Sequence, residues 1–233
     1  MKTNKNKISV LGGGSWGTVL AYLASANGNS VNLWMRNKES ANEINTKNIN
    51  SKYLPSLNLS KDVFATNDLS DVAESELIIF CVPSDSFREV AESTVKVIGK
   101  DVSLVTATKG VEKGGFRLMS NVLREHFPDN PIGIISGPNL AEEIANHNLS
   151  GTVIASKDEK LRKKVVKYFS SEFFKVYENE DPYGVEMGGA LKNIYAIACG
   201  IADGLNSGEN TVCLLYTSPS PRDAHESRMP SSA

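Results

Sequence analysis

Cysteine is scarce in this chain of 233 residues: Cys81, Cys199 and Cys213 are the only three, and no two form a C-x-x-C pair. Their wide spacing argues against a disulfide framework and against a thiolate zinc site. Histidine is as rare, and His126, His147 and His225 lie scattered in polar segments where solvated positions are expected, so no metal is assigned. Charge of one sign is not in excess either. Lysine and arginine number 25 against 27 acids, a net charge of -2, which supplies no global field favouring nucleic acid or an anionic membrane. Any basic residue that matters must act locally. Long apolar runs are missing too: the stretches around Ile78 to Val82 and Ile194 to Ala202 fall well short of the roughly 20 residues that span a bilayer. The apolar run after the basic residues 1–7 ends at Gly12, too short for a signal-peptide core. The expectation is a cytoplasmic protein with a small-molecule substrate, no nucleic acid partner and no membrane insertion.

What the chain has instead is alternation. Short apolar, β-rich runs (Ile8 to Leu11, Val31 to Met35, Leu77 to Val82, Ser103 to Thr106, Ile132 to Ser136, Thr152 to Ala155, Phe173 to Val176) are separated by segments of helical period. The helical segments are Ser15 to Asn27, Ser86 to Val97, Phe116 to His126, Leu140 to Ala145 and Glu159 to Phe169. Several of the strands are apolar on both faces, as strands covered by helices on each side of a parallel sheet tend to be. This predicts an α/β fold, a Rossmann-like, doubly wound and mainly parallel sheet over residues 1–181. Pro182 can open a helix, and Gly184 to Ala202 is one run of small and apolar residues. Residues 182–213 therefore read as the start of a helical domain that is cut short. Residues 214–233 turn to serine, proline and charge, a composition that cannot build a core. They read as a disordered or non-native tail.

Gly12, Gly14 and Gly17 form G-x-G-x-x-G between the first strand and its helix. In that setting the pattern is a dinucleotide fingerprint: Gly12 for the tight turn, Gly14 for approach of the pyrophosphate, and Gly17 for close packing of helix on strand. The free N–H groups of Ser15, Trp16 and Gly17, at the positive end of the helix dipole, suit a phosphate. NAD-selective sites usually place an acid at the end of the second strand, whereas this chain has Arg36 and Asn37. Arg36 is either the partner of a 2′-phosphate, so that NADPH is accepted beside NADH, or a solvated arginine at a strand end. The loops Cys81 to Phe87 and Ala107 to Val111 leave the carboxyl ends of candidate parallel strands, the edge where ligands bind. There Lys109 would bring a charge to the substrate. Farther on, Lys192 sits on an apolar helix with Gly188 and Gly189 one turn before it, where bare backbone leaves room for a substrate. A lysine snorkelling from the helix edge is the alternative. A positioned ammonium can stabilise the charge that hydride addition leaves on a ketone oxygen and then supply the proton.

The segments GGGSWGTVLAYLASANG, LWMR, YLP, CVPS, ATKG, ISGPN and GVEMGGALKN follow one another between Ile8 and Thr211. In order and spacing the chain resembles bacterial NAD(P)-dependent glycerol-3-phosphate dehydrogenases. That resemblance implies reduction of dihydroxyacetone phosphate to sn-glycerol 3-phosphate, a precursor of glycerophospholipids. It also implies that Ser15, Trp16, Arg36, Tyr53 and Ala141 contact NADPH or NADH, and that Lys109 meets both cofactor and substrate. Gly137 and Asn139 would border the substrate, and Lys192 would exchange its proton. Asn139 departs from the serine or threonine usual in the family. The family also continues beyond GENT (Gly208 to Thr211) into a helical domain that supplies an acid and an Arg-Asn pair for the substrate phosphate, none of it present in this sequence. A homodimer is left open for the full-length enzyme. Two other readings stand beside this one: an enzyme of the wider 6-phosphogluconate or β-hydroxyacid dehydrogenase group, which shares the Lys-Asn pair, and a dinucleotide-binding module without turnover.

Overall fold

The structure is a computed structural model in which residues 5–208 and 210–211 are described. The tail expected over residues 214–233 lies outside them. β1 (Lys7–Leu11) leads through α1 (Ser15–Ala26) into β2 (Ser30–Trp34), which runs parallel to β1 in register from Lys7 against Ser30 to Leu11 against Trp34. β6 (Leu77–Phe80), β7 (Ser103–Thr106) and β8 (Ile132–Ser136) extend the sheet on the other side of β1, with α3 (Ser84–Thr94) and α4 (Met119–His126) in the crossovers. The apolar quartet of β6 shows why such strands read as unbroken runs. Leu77 and Ile79 enter the core on one face with Ile8, Val10 and Leu20, while Ile78 and Phe80 enter the core on the other with Leu11, Phe87 and Phe127.

Five elements between β2 and β6 were not legible in the sequence: α2 (Lys38–Lys47), β3 (Ile49–Asn50), β4 (Leu54–Asn58), β5 (Val63–Thr66) and a 3-10 helix (Leu69–Val72). The reason is a weak apolar signal, since α2 buries only Ala41 and Ile44. Its termini hold it instead: the Asn37 side chain accepts from the Ser40 amide, and Asn48 closes the helix in the left-handed region at φ 55. β5 joins β2 in parallel as the edge strand, and β3 pairs with β4 in a separate antiparallel ribbon.

Beyond β8, the short α5 (Ala141–Ala145) turns the chain back, so that β9 (Ser150–Ala155) runs antiparallel to β8. α6 (Glu159–Phe169) then returns it to β10 (Phe174–Asn179), parallel to β9. The complete order is β10-β9-β8-β7-β6-β1-β2-β5, the mainly parallel, doubly wound sheet expected. Several boundaries need correction. α3 starts two residues earlier and ends three earlier than the segment expected over Ser86 to Val97, and β10 runs three residues past the expected Val176. The helix expected from Phe116 starts at Met119, because Phe116 adopts a left-handed φ of 52 and stands exposed in the loop.

α7 (Pro182–Gly204) follows β10, with the Asp181 side chain accepting from the Gly184 amide at its start. Its first turns dock on the sheet through Val185 and on α4 through Glu186, whose buried carboxylate accepts from the Ser120 amide at 2.9 Å and the Ser120 hydroxyl at 2.5 Å. Farther along, Ile194, Ile197, Ile201 and Leu205 form an exposed stripe of helical spacing. No described helix is long and apolar enough to cross a membrane.

Burial pushes the Glu186 carboxyl above its ordinary value, while the bonds from Ser120 pull the other way. A raised carboxyl pKa stabilises the fold fully below the unfolded value, and that contribution is lost as the pH rises through the folded one. Glu186→Gln keeps an acceptor for the Ser120 amide and is expected to flatten this segment of the pH–stability profile. Glu186→Ala strands that amide and is expected to cost about 1–3 kcal/mol. Urea denaturation from about pH 4 upward checks both.

Candidate functional site

The carboxyl ends of β1, β2, β6 and β7 meet where the strand order reverses beside β1, the place where open α/β sheets bind ligands. A cleft of about 610 Å³ opens there, with the glycine turn, Trp16, Arg36 and Tyr53 along one part of its lining and Val82, Pro83, Lys109 and Asn139 along another.

Each glycine of the turn has a distinct steric setting. Gly12 has φ +125, and an added Cβ would stand 2.3 Å from the Cys81 carbonyl oxygen where the β6 end passes. A Cβ on Gly17 would stand 1.8 Å from the Gly12 oxygen. One on Gly14 would meet nothing within 4 Å, so this bare backbone faces open space. Gly14 is also the N-cap of α1, which has no side-chain cap and no acid in its first turn; the orphan amides and the dipole end remain available to an anion. Gly17→Ala is expected to cost about 2–4 kcal/mol, as overpacking against backbone that cannot retreat, read from the urea midpoint.

The β3–β4 ribbon, invisible to the sequence analysis, closes one side of the site. Tyr53 lies between these strands, and its carbonyl accepts from the Ser15 hydroxyl at 3.0 Å. Asn50 is buried beneath and donates from Nδ2 to the Gly13 oxygen at 2.9 Å and to Thr18 Oγ1 at 2.8 Å, pinning the glycine turn to α1. No motif marks Asn50, because its partners come from another segment. Arg36, at the end of β2, pairs with Glu89 on α3, Nη2 to Oε2 at 2.6 Å.

On the other side, Thr108 donates to the Val82 oxygen at 2.7 Å and ties the two edge loops together. Lys109 Nζ donates to the Gly137 oxygen at 3.3 Å. The loop carrying Lys109 is anchored from α3, where the Arg88 guanidinium grips Glu112 at 2.5 and 3.0 Å and Glu125 at 2.9 Å. The bond from Arg88 is the main cause that holds the Glu112 carboxyl below the usual carboxylate range. Burial pushes the Cys81 thiol up to about 12 against the opposing charge of Lys109, which favours the neutral thiol.

Asn139 Nδ2 donates to Thr152 Oγ1 at 3.0 Å, and that hydroxyl donates to the Ser136 oxygen at 3.1 Å. Asn139 Oδ1 is left buried with no partner, an acceptor that a ligand donor would satisfy. Uncapped amides, open space over Gly14 and this orphaned acceptor all fit an elongated ligand with an anionic middle and a polar end.

The cleft thus unites Gly12, Gly14, Trp16, Arg36, Tyr53, Lys109 and Asn139, with Ser15 and Gly17 at the start of α1 and Gly137 held by Lys109. Ala141 instead packs against the core at the start of α5, and Lys192 is exposed on α7, not among the residues lining the cleft.

Residues 7–162 match the profile of the NAD-dependent glycerol-3-phosphate dehydrogenase N-terminus. The chain belongs to that family. Residues 181–219 match the profile of the corresponding C-terminus, reaching into the segment set apart after residue 213. The glycerol-3-phosphate dehydrogenase (NAD(P)+) of Alcanivorax borkumensis is 44% identical over 218 residues, covering 93% of this chain but 64% of the relative. That of Acinetobacter baylyi is 45% identical over 212 residues, 91% of this chain and 59% of the relative. The chain therefore spans less than two thirds of the length of these relatives. Among solved structures, glycerol-3-phosphate dehydrogenase from Coxiella burnetii superposes with a TM-score of 0.84 at 35% identity, over 91% of this chain and 66% of the other. A ketopantoate reductase family protein from Ralstonia eutropha, at TM-score 0.62, 16% identity and coverage of 90% and 70%, shares the fold alone. Family membership decides between the two enzyme groups that the Lys-Asn pair left open.

Proposed function

We propose that the full-length protein reduces dihydroxyacetone phosphate to sn-glycerol 3-phosphate with NADPH or NADH, for glycerophospholipid synthesis in the cytoplasm. One observation carries the reading: a cleft with uncapped α1 amides over bare Gly14, in which Lys109 and the orphaned acceptor of Asn139 also stand. A bound dinucleotide would supply the hydride. Ser15, Trp16 and Gly17 hold its pyrophosphate with their backbone amides, Tyr53 flanks the adenosine, and Arg36 faces the ribose 2′ position. Lys109, Gly137 and Asn139 hold the substrate; Ala141 borders the cofactor. Lys192 supplies the proton that turns the carbonyl oxygen into a hydroxyl. In this reading residues 1–181 are the dinucleotide domain and residues from 182 begin the substrate domain, whose profile match runs on to residue 219.

The experiment that tests the dinucleotide site is Gly14→Asp. At an N-cap an aspartate favours the helix, and its side chain would enter open space, so the thermal midpoint is expected to hold or rise. The same carboxylate beside a pyrophosphate is a like-charge clash, so NADPH fluorescence titration is expected to show binding lost by about 10²-fold or more. Unaltered affinity would remove the glycine turn from the cofactor site.

A further inference from the structure

The adenosine end of the cleft has an unusual charge arrangement. Among the described residues lining the whole cleft there is no aspartate or glutamate, and the bases are Arg36 and Lys52 toward this end and Lys109 on the other side. The nearest answer to the acid that NAD-selective sites carry at the end of the second strand comes from elsewhere. Glu89 lies on α3, one turn beyond Ser86, which lines the cleft, and so shares its helix face. From there its carboxylate reaches Arg36 Nη2 at 2.6 Å. The pair joins the β2 end to α3, and both side chains are well exposed, 58% and 74%, so a dissolved anion can reach it.

We propose that Glu89 sets the preference between NADPH and NADH by competing with the ribose 2′-phosphate for Arg36. This inference rests on the dinucleotide reading of the cleft. A guanidinium offers a planar fork that suits a carboxylate and a phosphate equally well. With NADH the Arg36–Glu89 pair stays closed, and the carboxylate keeps lone pairs that can accept from ribose hydroxyls. With NADPH the phosphate must take the guanidinium from Glu89 and then tolerate a displaced carboxylate at close range. Both effects act in one direction, against NADPH. Arg36 alone reads as an NADPH residue; paired with Glu89 it tunes a dual-cofactor site.

The test uses the 233-residue chain and two probes, NADPH and NADH, each titrated by fluorescence at the same low ionic strength against wild type, Glu89→Gln, Arg36→Ala and the double variant. Glu89→Gln is expected to raise the ratio of NADPH to NADH affinity about fivefold, the scale of one exposed ion pair, mainly by tightening NADPH. In the Arg36→Ala background the same change is expected to move the ratio much less, because its partner is gone. Thermal midpoints identify a variant that has merely lost its fold, and Glu89→Ala then replaces Glu89→Gln. A ratio unmoved by either Glu89 variant overturns the proposal. So does an equal shift with and without Arg36, which assigns the effect to direct repulsion alone. Wild type that binds neither nucleotide overturns the dinucleotide reading and this inference with it, whereas binding of both with no dependence on Glu89 overturns only the inference.

Discussion

A polypeptide of these 233 residues is expected to bind NADPH and yet leave dihydroxyacetone phosphate unreduced. The binding half rests on a site whose parts all lie among the described residues: the glycine turn pinned by Asn50, the β3–β4 ribbon over α1, and the paired edge loops. The turnover half rests on the place of Lys192. Lys192 stands exposed on α7 outside the cleft, and Ile194, Ile197 and Ile201 on the same helix are 61%, 63% and 57% exposed, with no cover among the described residues. An uncovered stripe of this kind favours aggregation or fraying of the helix, and a lysine on a fraying helix cannot be held in place for proton transfer. Among the described residues lining the cleft the cations are Arg36, Lys52 and Lys109, and in the proposed reading Lys109 alone of these meets the substrate, so its phosphate would be weakly held. Losing remote binding energy slows the chemical step itself as well as weakening binding. The measurement pairs NADPH fluorescence titration with NADPH oxidation in the presence of dihydroxyacetone phosphate. Turnover above the buffer rate would show that the described residues suffice.

In a chimera that continues from Thr211 with the remaining residues of the Alcanivorax borkumensis relative, Lys192→Met is expected to lower kcat by roughly 10²-fold or more while NADPH affinity holds. Methionine keeps the length and packing of the stem and removes only the ammonium, so the loss reports on the proton donor. Near-normal turnover would make Lys192 a structural lysine. Lys109→Ala in the same chimera separates the two lysines: it is expected to raise KM as well as lower kcat, because the proposed reading has Lys109 meet substrate before and during the chemical step. A change in kcat alone would move Lys109 out of the ground-state site.

Much of the dinucleotide region was legible because its signals are local. The turn Gly12–Gly17 lies within six consecutive residues, and a helix entered without a side-chain cap declares its own anion site. The buried quartet of β6 follows from apolar runs alone, since strands covered on both faces need no alternation. α2 escaped notice because two buried residues in a polar helix leave almost no periodicity to read.

What the sequence by itself determined, then, is the succession of strands and helices, the glycine turn, and the residue types available to bind and to transfer a proton. Only the tertiary structure decided that β9 turns antiparallel to β8, that Asn50 supports the glycine turn, that Lys109 reaches Gly137 across 28 residues, and that Arg36 meets Glu89 across 53. The physical reason is common to all four. Periodicity and propensity act within one turn or one strand, whereas which side chains meet across a cleft depends on which strands are neighbours and on the side from which each crossover returns.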